Sequence, residues 1–210
     1  EDILIRMAQH AYDITGAKAL CMAGGVALNS VANGRILDET PFEELWIQPE
    51  AGDAGGALGA ALYAYHVLLG QPRKHVMETP YYGEEFTPDQ IRTFLTQNNI
   101  PYVEAKDDNE MLDRTAETII NGGVVGWFQG RFEWGPRALG SRSILADPRR
   151  EEMKDIVNVK IKFREPFRPF APVTLEEKAN DFFEMGKYDG QMTPRFMLAA
   201  KFPPEEKETL

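Results

Sequence analysis

Residues Lys18 to Leu62 read KALCMAGGVALNSVANGRILDETPFEELWIQPEAGDAGGALGAAL and carry one pattern twice. A short apolar run, KALCMAGG, ends in glycines, and VALNSVANGRILDE then reads as a helix that begins just after that turn. The run ELWIQP repeats the strand. EAGDAGG repeats the glycine turn, and ALGAALYAYHVLLG repeats the helix. Two successive strand–turn–helix units predict an α/β layer with a mainly parallel sheet. Ahead of them, Asp2 to Thr15 places Ile3, Ile5, Met7, Ala8, Ala11, Tyr12 and Ile14 at mostly helical spacing, with Gly16 as a stop.

Downstream, Gln71 to Gly83 has Pro72, Pro80 and Gly83 and no clear period, and the composition changes after it. A domain boundary is therefore expected there, giving domains 1–75 and 76–210. TPDQIRTFLTQNN reads as a helix with Thr87 as N-cap and Pro88 at its first position. IPYVEAK reads as a strand, NEMLDRTAETIINGG as a helix closed by glycines, and VVGWFQG as another strand. REEMKDIVNVKIK starts as a helix, FREPFRPFAPVTLEE is expected to be extended, and EKANDFFEM reads as a short helix.

The 210 residues carry a net charge of −10, yet ten Lys/Arg and six Asp/Glu fall between Trp127 and Phe170. That stretch is +4 and the remainder −14, so a local anion site is expected rather than a nucleic-acid or membrane surface. A single cysteine, Cys21, excludes an internal disulfide framework and fits a reducing, cytoplasmic setting. No apolar run approaches a membrane span. The chain opens at Glu1 inside a helical pattern and closes in KFPPEEKETL, so both ends read as cut from something longer.

The two glycine turns let the backbone approach a ligand, and each leads into a helix N-terminus that suits phosphate. Gly24 and Gly25 in the first turn and Gly55 in the second are the candidate phosphate-facing glycines. Neither turn is a GxGxxG or Walker motif, and close helix–strand packing explains glycines there equally well. Asp53, between glycines, suits either a hard or Fe/Zn-type cation or an N-cap, while His10, His66 and His75 show no ligand spacing.

In GRFEWGPRALGSRSILADPRR, Pro136 fixes the backbone before Arg137 and Gly140 bends it before Arg142. In the extended KFREPFRP, Lys162, Arg164 and Arg168 are expected on one face. Arginine's planar fork and lysine's compact charge suit phosphate. Arg131, Arg137, Arg142, Lys162, Arg164 and Arg168 are the candidate anion-binding cations. Pairing with the acidic remainder is the alternative for any single arginine. The interleaved Phe132, Trp134, Phe163, Phe167 and Phe170 favour a site. With no acidic or histidine triad beside them, chemistry by positioning and charge neutralisation of a phosphoanhydride fits better than hydrolysis by a nucleophile.

Taken together, GGVALNSVANGRI, QPEAGDAGGALGAAL, GRFEWGPRALGSRSILADPR and KIKFREPFRPFAP resemble the carbamoyltransferases of the nodulation-protein and antibiotic O-carbamoylation type. The resemblance implies a partial actin-like (ASKHA) ATPase domain followed by a YrdC-like α/β domain. It implies that carbamoyl phosphate and ATP give a carbamoyl-adenylate in the second, and that the first passes the carbamoyl group to a hydroxyl of a small-molecule acceptor. A divalent metal, iron, with magnesium accompanying ATP, is implied as cofactor. On this resemblance Asp53 matches the metal-binding aspartate, and Gly24, Gly25 and Asn29 the nucleotide-facing turn. Arg137, Lys162 and Arg168 match the cations that hold carbamoyl phosphate and the adenylate. The family's HxxxH metal ligands are absent from these residues, so carbamoyl transfer by this chain alone is not expected, whereas weak ligand binding is. Exposed sheet edges are expected in the first domain, with a homodimer to cover them.

A hydrogenase-maturation or threonylcarbamoyl-type enzyme is the alternative; the former shares part of EWGPRALG but is expected to carry zinc-finger cysteines, and this chain has one cysteine. A non-catalytic nucleotide- or RNA-binding module is disfavoured by the small basic island and the overall negative charge.

Overall fold

A computed structural model describes residues 1–199 and 201. The chain divides into two compact units. One contains Glu1–Pro80, Trp134–Leu139 and the described residues from Thr174 onward; the other contains Tyr81–Glu133 and Gly140–Val173. The sequence suggested a single crossing near residue 75, but the chain passes between the units several times.

In the first unit, α1 (Asp2–Thr15) ends at Gly16 in the left-handed conformation and buries Ala8. Tyr12 meets Phe42 edge-on at 5.5 Å between ring centroids. The opposite face leaves Ile3, Met7 and Ile14 exposed. Strands β1 (Ala19–Met22) and β2 (Glu44–Ile47) pair in parallel, in register from Ala19↔Glu44 to Met22↔Ile47. Between them α2 (Ser30–Glu39) starts four residues later than the pattern suggested. A 3-10 turn, Gly25–Leu28, comes first, and the Asn29 side chain accepts from the Ala32 N–H at 3.1 Å to cap the helix. Ile36 and Leu37 on α2, Phe42, Leu45 and Ile47 form the core with Ala8, Ala27 and Ala51. Helix α3 (Gly55–Tyr63) follows β2 and continues as π-type winding over Ala64–Leu68.

Tyr188, Phe196 and Leu198, more than a hundred residues downstream, complete this core. Their segment also closes the outer edge of β2. The Leu45 N–H donates to Gln191 Oε1 at 3.1 Å, and the Leu45 carbonyl accepts from Thr193 Oγ1 at 2.6 Å. Side chains thus stand where another strand would pair, and this edge is not the open one expected from sequence. Lys187 Nζ donates to the Leu37 carbonyl at 2.6 Å, satisfying the C-terminal end of α2. Tyr188 donates its hydroxyl to the Asn33 carbonyl, and burial pushes its phenol pKa up, keeping it a donor.

In the second unit, α4 (Pro88–Gln97) carries the predicted Thr87 cap as a full capping box with Gln90. Helix α5 (Asp108–Ile120) is capped by Asp107, which accepts from Glu110 N–H at 2.9 Å. IPYVEAK is not a strand: residues 100–105 belong to no ladder, and Pro101 has no N–H to give one. The strand the pattern missed is β4 (Arg142–Leu145), which pairs antiparallel with β3 (Val125–Phe128). Among the described residues the sheets are therefore one parallel and one antiparallel pair, a mixed α/β arrangement rather than a mainly parallel one. The stretch after β4 also differs from expectation. Winding from Met153 runs on as a π-type turn, Ile156–Ile161, and Phe163 has φ +50°. The two-residue alternation that put Lys162, Arg164 and Arg168 on one face does not hold, because Lys162 is helical and Phe163 left-handed. No helix among the described residues is long and apolar enough to cross a membrane.

Thr193→Val keeps the side-chain shape but leaves the Leu45 carbonyl without its donor. The expected cost is about 1–3 kcal/mol in urea unfolding, and an unchanged midpoint would contradict the edge-closing role.

Candidate functional site

Because β1 and β2 run parallel, the turns that follow them lie at the same end of the pair, where α/β sheets bind ligands. The Gly24 N–H donates to the Ala51 carbonyl at 2.7 Å and ties one turn to the other. Gly24, Gly25, Asn29 and Asp53 are exposed there, and Gly55 is buried. A Cβ at Gly55 would collide with the Glu50 carbonyl and the Gln48 amide, so close packing explains that glycine directly. The Asn29 oxygen is engaged as the α2 cap. No side-chain bond caps the start of α3, so Asp53 faces solvent without serving as an N-cap. Among the described residues no three His, Cys, Asp or Glu side chains gather as a metal site, and Asp53 does not form one with what is described.

Trp134–Leu139 lies in this same unit. The Trp134 N–H donates to the Pro80 carbonyl at 2.6 Å, and its indole Nε1 donates to Gln48 Oε1 at 3.0 Å. Gly135, at φ +125°, backs onto the Pro49 carbonyl, where a Cβ would meet the oxygen at 2.9 Å. This sets Arg137 beside the first turn. Its guanidinium donates to the Leu28 carbonyl at 2.7 Å and to the Met197 carbonyl. Asn33, fully buried on α2, matches it with bonds from Nδ2 to the Ala27 carbonyl at 2.7 Å and the Leu198 carbonyl at 2.8 Å. Its Oδ1 has no hydrogen-bond partner among the described residues. Arg137 pairs with no carboxylate among the described residues. Burial lowers its pKa, yet an arginine stays charged, so its positive charge is held beside the first glycine turn with no described carboxylate to offset it.

The remaining candidate cations lie in the second unit. Arg142 is sandwiched between Phe128 and Phe132, at 3.6 and 3.9 Å to the ring centroids. It donates to the carbonyls of Gln129 at 2.6 Å, Ser141 at 2.8 Å and Gly130 at 3.0 Å, which makes it the rivet of the β3–β4 hairpin. Glu133 accepts the N–H groups of Ser141 and Arg142 at 2.8 and 3.2 Å. Arg131 donates to the Gly83 carbonyl at 3.1 Å and lies 3.5 Å from Glu85. Arg164 donates from Nε to Asn158 Oδ1 at 2.6 Å and stacks on Phe170 at 4.9 Å. Arg168 pairs with Glu165 at 2.8 Å on the surface. Lys162 is exposed, 5.9 Å from the Phe170 ring, and its ammonium makes no hydrogen bond or ion pair among the described residues.

The first unit thus gathers Gly24, Gly25, Asn29, Asp53, Gly55 and Arg137, whereas Arg131, Arg142, Lys162, Arg164 and Arg168 belong to the second. Sequence reading missed Asn33, Gln48 and Gly135 as residues that shape the first site, and placed Trp134 only among the aromatics beside the arginines. The signal for two of them was the WGP triplet, where an indole and a glycine flank a fixed backbone.

The family model described as carbamoyltransferase N-terminus matches residues 1–62, and that described as carbamoyltransferase C-terminus matches residues 116–210. An uncharacterized protein of Synechocystis is 46% identical over 95% of this chain and 33% of its own length. Nodulation protein NolNO of Sinorhizobium fredii is 46% identical over 88% of the chain and 27% of its own length. Nodulation protein NolO of Bradyrhizobium diazoefficiens is 41% identical over 88% of the chain and 34% of its own length. The chain spans about a third of the length of these relatives.

Gly55→Ala forces the Gln48–Glu50 turn to move. The expected loss is about 1–3 kcal/mol of stability, read from chemical denaturation, and a variant as stable as the parent would show that the close approach at Gly55 is not needed.

Proposed function

The chain belongs to the carbamoyltransferase family, and from that membership we propose that it serves the ATP-dependent transfer of a carbamoyl group from carbamoyl phosphate to a hydroxyl of a small molecule or sugar. In this reading the unit with the parallel pair is the actin-like part and the other unit the YrdC-like part. Carbamoyl phosphate and water give carbamate and orthophosphate; carbamate and ATP give carbamoyl-adenylate and pyrophosphate. The acceptor hydroxyl then displaces AMP, its oxygen bonding to the carbamoyl carbon while its proton is lost. The work asked of the protein is to hold anions in place and neutralise them.

The observation that carries this reading is Arg137. A half-buried guanidinium without a carboxylate partner among the described residues, bonded to the first glycine turn at Leu28, supports reading it as a seat for an anion. Two of its N–H donors go to carbonyls, and the others remain for a phosphate. Gly24, Gly25 and Asn29 would bring backbone close to ATP, with Gly55 keeping the second turn tightly packed behind them, as Lys162 and Arg168, exposed on one loop, would bring charge to carbamoyl phosphate. Asp53 is proposed as one carboxylate toward a divalent metal. The other described residues do not complete that site, and no step is routed through it. Solution in the cytoplasm as a homodimer belongs to the same proposal.

Calorimetry with carbamoyl phosphate tests the reading. The chain is expected to bind it, and Arg168→Ala is expected to weaken binding by about 2–5 kcal/mol, the scale for removing one partner of a charge-assisted contact. Absence of binding by the parent chain, or equal affinity in the variant, would count against it.

A further inference from the structure

The cations proposed to meet carbamoyl phosphate sit on a loop that cannot hold its own shape. Phe163 has φ +50°, a conformation that costs a bulky residue energy. Its side chain is 85% exposed, so packing of the ring does not impose that backbone. Phe167 is exposed as well. Something else must fix the path from Lys162 to Arg168.

Asn158 makes bonds that answer this. It is fully buried within the winding, Ile156–Ile161, that precedes the loop. Its Nδ2 donates to the Arg168 carbonyl at 2.9 Å and to the Pro166 carbonyl at 3.2 Å. Its Oδ1 accepts from Arg164 Nε at 2.6 Å, and its own carbonyl accepts from the Arg164 N–H at 3.0 Å. Every polar atom of the Asn158 side chain is committed to the Arg164–Arg168 loop. Arg164, fixed in this way, stacks on Phe170 and carries the restraint past Arg168.

We propose that Asn158 is a positioning residue that fixes the Lys162–Arg168 loop, and through the Arg168 backbone presets the cation offered to carbamoyl phosphate. The inference rests on the functional reading above only for the identity of the anion; the restraint on the loop stands on the hydrogen bonds. An amide is required at this position. It alone offers two donors to carbonyls and an acceptor to a guanidinium from one short side chain. Aspartate would keep the acceptor for Arg164 and lose both donors.

The test uses the whole chain as parent, Asn158→Ala, Asn158→Asp and Arg168→Ala. It reads three quantities: the rate of tryptic cleavage after Lys162 and Arg164, the melting temperature, and the affinity for carbamoyl phosphate by calorimetry. Both Asn158 variants are expected to be cut faster than the parent and to melt at a lower temperature, still in one cooperative step. They are also expected to bind carbamoyl phosphate more weakly by on the order of tenfold to a hundredfold, the scale of small misplacements of a positioned group. Arg168→Ala is expected to lose affinity without faster cleavage. Cleavage rates equal to the parent's in both Asn158 variants would overturn the proposal. So would loss of the cooperative melt, since Asn158 would then hold the unit rather than the loop. Faster cleavage with unchanged affinity would overturn the link to the ligand. A parent chain that binds no carbamoyl phosphate would sink the functional reading, and cleavage would still decide the role of Asn158.

Discussion

The side chains of Asn33 and Arg137 fasten two distant pieces of chain through four carbonyl oxygens. Ala27 and Leu28, in the turn after β1, are joined to Leu198 and Met197, near the far end of the described chain. Ala27 and Leu198 are buried, so their carbonyls need protein donors, and an unmade bond there costs the full desolvation of the group. Arg137 does this with a charge that no described carboxylate neutralises. The clasp that closes the fold therefore also leaves a positive field beside the glycine turns. Fold and candidate function depend on the same pair of residues.

The rest of the first unit follows from that fastening. Once Met197 and Leu198 are held, the segment before them lies along β2, where Thr193 and Gln191 close the strand edge and Lys187 closes the end of α2. Trp134 and Gly135 press against Gln48 and Pro49, which aims Arg137 at the turn. Residues matched by the C-terminal family model thus supply core, edge and charge to the unit that begins with the N-terminal one. A change at Arg137 or Asn33 should be felt along the whole contact rather than at one bond.

Much of this was legible in the sequence where the signal is local. The Thr87–Pro88 start of α4, the stop at Gly16 and the two strand–turn–helix units depend on neighbours a few residues apart, and all formed. Signals that depend on distant partners were not legible. IPYVEAK has strand-forming residues, but no described strand pairs with it, whereas the polar RSIL found a partner in β3 with Arg142 riveted between two phenylalanines. Lys162 to Arg168 reads as extended because of its prolines, yet a single buried asparagine upstream bends it. For the site, charge and glycine pointed to Arg137 and the turns. The amides that position them, Asn33, Gln48 and Asn158, look like ordinary polar residues until the carbonyls they serve are known.

The account turns on whether the uncompensated charge of Arg137 is a seat for an anion or only a clasp. The direct measurement is the ATP affinity of the parent chain and of Arg137→Gln, which keeps a donor for a carbonyl but removes the charge. The account predicts that the parent binds ATP and that the variant binds it at least about tenfold more weakly. Equal affinity in the two, or no ATP binding by the parent, would contradict it.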